Sequence, residues 1–245
     1  MKGIVNKIIP FSNVDGPGNR LSIFFQGCNY DCLYCHNPET IEIFGEKSEN
    51  IPEDISVMSI EKILEEIENV APFISGITVS GGECSLQWRF LTELFTEIKK
   101  NWKRLTCFVD SNCSIPLWPE EKKKFIDILD KVMIDIKAFD KKDHILMTGI
   151  SNENVIRNFK YLVELGKIYE VRTVIVPEII DNEKTVDNIS KLIAEYDKSL
   201  KYKIIKYRQN GVREEVLKAY TPSEEYMKKL KKIAEKNGLS NVVIV

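Results

Sequence analysis

No apolar run in the sequence approaches the roughly 18 residues needed to cross a bilayer, which excludes a membrane-spanning helix. The N-terminal stretch MKGIVNKIIPF lacks the long apolar segment of an export signal. Net charge is nearly absent, at -2 over 245 residues, so bulk charge draws the chain neither to nucleic acid nor to an anionic membrane. Sequence repeats and low-complexity linkers are missing, and one domain over residues 1–245 is expected. With 43% hydrophobic and 29% charged residues, the balance is that of an ordinary soluble protein. The lysine-rich stretches 99–103, 122–124 and 228–232 have acidic residues among or near them and read as solvated helix faces.

Six cysteines are present. Without an export signal they predict a cytoplasmic, reducing setting, where clustered cysteines bind metal or do chemistry more often than they form disulfides.

Short β-branched or aromatic runs alternate with helical periodicity. Strands are predicted at Leu21–Phe25, Ile77–Val79, Leu105–Val109, Val132–Ile136, Val171–Val176, Lys203–Lys206 and Val242–Val245. Ile60, Ile63, Leu64 and Ile67 share one helical face, as do Leu91, Leu94, Phe95 and Ile98. Further helices are predicted at Glu120–Asp130, Glu153–Leu165 and Lys184–Tyr196. A last one opens with Thr221, Pro222 and Glu224 as a capping box and stops at Gly238. The polar stretch Glu42–Ser56 reads as a surface loop. This alternation predicts an α/β fold with a parallel sheet, either open and doubly wound or a full or partial barrel.

Polar or glycine-rich groups fall just after the predicted strands: QGCNYDCLYCHN, SGGE, DSN, DIK, Pro177 and the run Tyr207–Gly211. Parallel strands present their C-terminal ends on one face, where such folds place their sites. Cys28, Cys32 and Cys35 stand in a C-x3-C-x2-C pattern within eight residues. Three thiolates can hold an iron–sulfur cluster and leave one iron open. A zinc site with His36 as fourth ligand is the alternative, although zinc sites usually pair C-x2-C with a second such pair, and none is present.

This pattern, with Tyr34 before the last cysteine, resembles the radical S-adenosylmethionine (SAM) superfamily. VDGPGNR at 14–20, FFQGC at 24–28, YCHNPET at 34–40 and SGGE at 80–83 resemble the glycyl-radical-enzyme activases, of which pyruvate formate-lyase activating enzyme is the type. VDSN, VMIDIKAF, TG at 148–149 and VRTVIVP at 171–177 fit as well. ITVSGGE, LTCFVDSN and the ending 241–245 are most similar to the YjjW-type subgroup. The cysteine-rich, ferredoxin-like insert of many activases is absent, because no cysteine lies between His36 and Glu83, and one cluster is expected.

The resemblance implies a partial (β/α)6 TIM-type barrel. It implies a [4Fe–4S] cluster on Cys28, Cys32 and Cys35 whose open iron chelates SAM. Reductive cleavage there yields a 5′-deoxyadenosyl radical that takes a hydrogen from a glycine Cα of a partner glycyl radical enzyme. Flavodoxin or ferredoxin is implied as electron donor, under anaerobic conditions, and a monomer is expected. Tyr34, Cys35, His36, Gly82, Asp135, Ile136, Lys137 and Arg208 fall at SAM-contacting positions, Arg208 standing where the type enzyme has His. Asp110, Ser111, Met133 and Asp135 match positions that hold a monovalent cation, Na+ or K+. Asp15 and Arg172 match positions that grip the substrate peptide, although Arg172 equally suits a strand salt bridge. Cys84 and Cys107 read as buried small hydrophobes. Two rival readings are a radical SAM enzyme acting on a small molecule, like those of the queuosine pathway, and a zinc-binding or redox-sensing module without SAM chemistry.

Overall fold

The computed structural model describes residues 1–45, 48 and 51–245. Within the expected loop Glu42–Ser56, residues 46, 47, 49 and 50 lie outside the described residues. Packing divides the chain into two units made of interleaved segments. The first holds residues 1–29, 39–111 and 117–132, and the second 30–38, 112–116 and 133–245.

The first unit contains β1 (Lys2–Ser12), β2 (Arg20–Phe25), β3 (Ser56–Ser59), α1 (Ile60–Val70), β4 (Gly76–Gly81), α2 (Trp88–Asn101), β5 (Thr106–Ser111) and α3 (Lys123–Ile128). Its strands run in the order β3-β1-β2-β4-β5. β2, β4 and β5 are parallel, with Phe25 opposite Gly81, and β1 is antiparallel to both β2 and β3. The apolar faces read from the sequence are the buried ones: Ile63 and Ile67 on α1, and Leu91, Leu94, Phe95 and Ile98 on α2, are fully buried. Each such side chain contributes about 1.5–3 kcal/mol.

The second unit contains β6 (Lys131–Asp135, entering it at Met133), α4 (Lys141–Thr148), α5 (Glu153–Glu164), β7 (Ile168–Ile175), α6 (Asn182–Tyr196), β8 (Lys201–Lys206), α7 (Glu224–Lys236) and β9 (Val242–Ile244). Its order is β6-β7-β8-β9, and β7, β8 and β9 are parallel. Both units therefore show the expected α/β class with mostly parallel strands.

Several sequence expectations are corrected. β1, β3 and α4 were not predicted. β1 carries Pro10 at a register shift, where a strand tolerates a missing donor. α4 has no sustained apolar stripe; Asp140 caps it by accepting from Lys142 N and Asp143 N, and Gly149 ends it at φ 83°. Ser223, rather than Thr221, caps α7, accepting from Tyr226 N at 3.2 Å, so Pro222 lies before the cap. Lys122 is buried rather than solvated, its ammonium 5.7 Å from the Trp88 ring centroid.

Candidate active site

In the first unit, the backbone beyond β2 is held from two sides. Gly27 N donates to Thr40 O at 2.9 Å and Cys28 N to Ile41 O at 3.0 Å. Glu83 N donates to Gly27 O at 2.7 Å and Gly82 N to Phe25 O at 3.0 Å. A Cβ on Gly82 would lie 2.6 Å from Thr40 O and closer still to Gly27 O. The close approach that this glycine permits is thus between the Cys28 loop and the end of β4. Cys28 is half-buried.

Glu83 is a buried carboxylate that the sequence reading passed over. Its Oε1 accepts from Ser111 Oγ at 2.7 Å and from Ser85 N at 3.0 Å. Ser80 Oγ donates to Asp110 Oδ2 at 3.2 Å. The ends of β4 and β5 are joined twice by these bonds.

In the second unit, the segment with Cys32 and Cys35 lies on the end of α4. Asp31 N donates to Thr148 O at 3.1 Å and Leu33 N to Met147 O at 3.0 Å. Tyr34 is buried with Met147, Val176, Tyr207, Val212 and Leu217. His36 stacks on Tyr207 at 6.4 Å between centroids, and its Nε2 bonds Arg208 O at 2.8 Å. Arg208 itself is exposed. Asp135 Oδ2 accepts from Lys137 Nζ at 2.8 Å, and Lys137 Nζ also stands 5.6 Å from the Tyr34 ring centroid. Burial works against the charge on Lys137, but Asp135, Tyr34 and Cys32 outweigh it and hold its pKa well above the ordinary lysine value. Burial pushes the Cys32 thiol up to about 11, with Cys35, Asp135 and Asp31 adding to this and Lys137 opposing it. Ile136 is buried in the same strand-end segment, its amide donating to Arg172 O at 2.9 Å.

The other predicted residues are placed as follows. In the first unit, Asp15 Oδ2 accepts from Ser12 Oγ at 2.6 Å and Ser22 Oγ at 2.7 Å, and its carbonyl from Thr78 Oγ1 at 2.6 Å. Its neighbour Arg20 is fully buried, bonded to Thr78, Thr106 and Ile77 and lying 4.2 Å from the Phe108 ring centroid. The VDGPGNR turn is thereby pinned to the sheet. In the second unit, Arg172 forms the strand salt bridge anticipated for it, 2.5 Å from Glu170 Oε1, and its Nη2 lies 2.8 Å from Met133 Sδ.

Asn152 was also missed. At the start of α5 it makes no capping bond; its Nδ2 donates instead to Ala138 O at 3.1 Å and Phe139 O at 2.6 Å, just beyond Lys137. Its signal in the sequence was an Asn at a helix start with no turn chemistry of its own. Cys84, Cys107 and Cys113 are buried, the first two as expected. Cys113 adopts a left-handed φ of 51°, and its carbonyl accepts from Asn158 Nδ2 at 2.7 Å.

These residues fit a cluster and a polar cofactor on several counts. All six cysteines stand outside disulfides. Tyr34 Oη and Tyr207 Oη are buried without a hydrogen-bond partner among the described residues, next to the Cys32–His36 segment. Among the described residues, no three His, Cys, Asp or Glu side chains gather around a single-ion position. A four-iron cluster does not need that arrangement, because its thiolates ligate different irons. No helix among the described residues is long and apolar enough to cross a membrane.

A model of the radical SAM superfamily matches residues 22–193. A Haemophilus influenzae protein named "Putative glycyl-radical enzyme activating enzyme" is 34% identical over 266 aligned positions, covering 98% of this chain and 96% of its own. The pyruvate formate-lyase-activating enzyme of Staphylococcus epidermidis is 33% identical over 219 positions, covering 86% of this chain and 84% of its own. The crystal structure of a domain of pyruvate-formate lyase-activating enzyme from Bacteroides vulgatus superposes with a TM-score of 0.58 at 21% identity. It covers 70% of this chain and 99% of that one.

Proposed function

We propose that this chain, which belongs to the radical SAM superfamily and within it to the glycyl-radical-enzyme activating enzymes, binds a [4Fe–4S] cluster through Cys28, Cys32 and Cys35. Such a cluster would supply the electron that cleaves SAM into methionine and a 5′-deoxyadenosyl radical, and that radical would take hydrogen from a glycine Cα of a partner glycyl radical enzyme, leaving 5′-deoxyadenosine. The observation that carries this reading is the packing around the cysteines in the second unit. The Cys32–Cys35 segment there packs with Tyr207 and lies beside a half-buried Asp135–Lys137 pair, which offers both signs of charge to a charged, amphoteric cofactor.

Each residue has a task in this reading. Tyr34 and His36 offer aromatic faces to adenine. Lys137, kept charged by Asp135, is a donor for a carboxylate or a ribose oxygen. The Gly82 backbone, held by Phe25 O, presents its peptide groups to the methionine end of SAM. Arg208, exposed beside His36, is within the same segment for a ribose or carboxylate contact. Ser111, whose hydroxyl donates to Glu83, is a hydroxyl ligand for a monovalent cation in this reading, with Asp110, Met133 and Asp135 as the other ligands. Asp15 and Arg172 face the substrate peptide in this proposal. An electron donor of the flavodoxin or ferredoxin class, a monomeric state and a cytoplasmic setting complete it.

The test is radical transfer. The reconstituted protein is mixed anaerobically with a candidate glycyl radical enzyme, SAM and a reductant, and the glycyl radical is followed by electron paramagnetic resonance. A signal that requires all three cysteines is expected. Its absence with every glycyl radical enzyme of the same organism, from a protein that cleaves SAM, would remove the activase reading.

A further inference from the structure

The chain between β8 and α7, residues 207–223, runs over the second half of the cysteine loop within the second unit, and its central contact is made by Arg213. Arg213 Nη2 donates to the Asp31 carboxylate and, at 3.3 Å, to the carbonyl of Cys32. These partners lie 182 and 181 residues away in sequence. On either side of Arg213 the same segment closes on the loop. Gly211 approaches so nearly that a Cβ would lie 2.6 Å from His36 O. His36 Nε2 bonds Arg208 O, and Val212 and Leu217 pack with Tyr34. Arg213 is half-buried, and its own carbonyl accepts from Val216 N at 3.0 Å and Leu217 N at 3.1 Å, which fixes the turn that presents the guanidinium.

The consequence for Cys32 follows from the bonds around it. The amide before it is held by Thr148 O and the amide after it by Met147 O. Its own carbonyl accepts both from Cys35 N at 3.1 Å and from Arg213. α4 thus fixes the peptide on one side and Arg213 on the other. A guanidinium with a planar fork can bond a carboxylate and a carbonyl at once, which an ammonium does less well. Its fixed positive charge also stands next to a ligand of a cofactor that gains negative charge when reduced.

We infer that Arg213 is the positioning residue for the cysteine loop. It locks the post-β8 segment onto Asp31 and Cys32, which slows cluster loss, and its charge raises the cluster's reduction potential. This inference rests on the cluster reading above.

Reconstituted wild type, Arg213→Gln, Arg213→Lys and Asp31→Asn are compared anaerobically by two measurements. One is the rate at which a ferrous chelator removes iron; the other is the cluster's midpoint potential from a redox titration followed by electron paramagnetic resonance. Iron loss about tenfold faster is expected for Arg213→Gln and Asp31→Asn, the scale of a hydrogen bond to a charged group. The potentials are expected to part: lower in Arg213→Gln, higher in Asp31→Asn, and near wild type in Arg213→Lys. General destabilisation would not move them in opposite directions. Asp31 is largely exposed, with 67% of its side chain accessible, so its variant folds whatever becomes of the arginine variants. Wild-type iron retention and potential in both Arg213→Gln and Asp31→Asn would overturn the inference. A wild type that holds no iron would instead overturn the cluster reading on which it stands.

Discussion

Ser111 donates its hydroxyl to Glu83 Oε1 at 2.7 Å, joining the turn after β4 to the C-terminal end of β5. Both residues are almost wholly buried. The same carboxylate oxygen accepts from Ser85 N and so caps the short turn that follows. Glu83→Gln keeps an acceptor at this position and is expected to retain most SAM cleavage. Glu83→Ala strands a buried hydroxyl and an amide, at a cost of about 1–3 kcal/mol each. Chemical denaturation of the two variants side by side checks this; equal stability would mean that the bond is idle.

Gly82→Ala is the sharpest steric test. The added methyl meets backbone carbonyls, which cannot swing aside as a side chain can. A stability loss of about 3 kcal/mol is expected, in the range of overpacked interiors, together with loss of iron from the displaced Cys28 loop. A variant that melts like wild type and binds iron fully would show that the Gly27–Gly82 approach is not needed.

Glu170 is buried among Arg172, Lys201 and Lys203. Burial alone would raise its pKa, but the three cations hold it down to about 2. Because the folded value is below the unfolded one of about 4.3, this carboxylate's contribution is complete above pH 4.3. It is lost as pH falls toward 2. Glu170→Gln leaves three cations without their counter-charge and is expected to lower stability by roughly 3 kcal/mol at neutral pH. The deficit should shrink in acid, which denaturant titrations at pH 7 and pH 3 would reveal.

His144 behaves in the opposite sense from an exposed histidine. It is fully buried on α4, with Nδ1 2.7 Å from Ile150 O, and burial depresses its pKa to about 4, with Lys137 adding to this and the Ile150 bond opposing it. Above about pH 6.5 both folded and unfolded forms are neutral and stability is full. Between 6.5 and 4 only the unfolded form takes up the proton, so stability falls with pH by about 3 kcal/mol in all. His144→Asn, which cannot titrate, should flatten this part of the profile. An unchanged slope would place the pH dependence elsewhere.

The sequence made the chemistry-bearing loops legible because cysteine spacing, paired glycines and strand-end acids are local patterns. Cys28 and Gly82 follow strands, and Asp110 and Asp135 lie in the C-terminal ends of theirs, as the alternation of elements requires. Strong apolar faces placed α1 and α2 correctly for the same reason. What escaped were features set by distant partners. β1 is an antiparallel addition whose register only β2 and β3 define. Glu83, Asn152 and Arg213 look like ordinary polar residues until the fold brings Ser111, Ala138 and Asp31 beside them. Ser223 displaced Thr221 as the cap of α7 because both are good caps and only backbone geometry separates them.

The central claim is SAM cleavage at a cluster held by the three cysteines. Reconstituted anaerobically, reduced with dithionite and given SAM, the wild-type protein should release 5′-deoxyadenosine, and Cys32→Ala should release none. Product formed equally by Cys32→Ala would contradict the account. So would none from a wild type with a full, reducible cluster and its partner's glycine-loop peptide present.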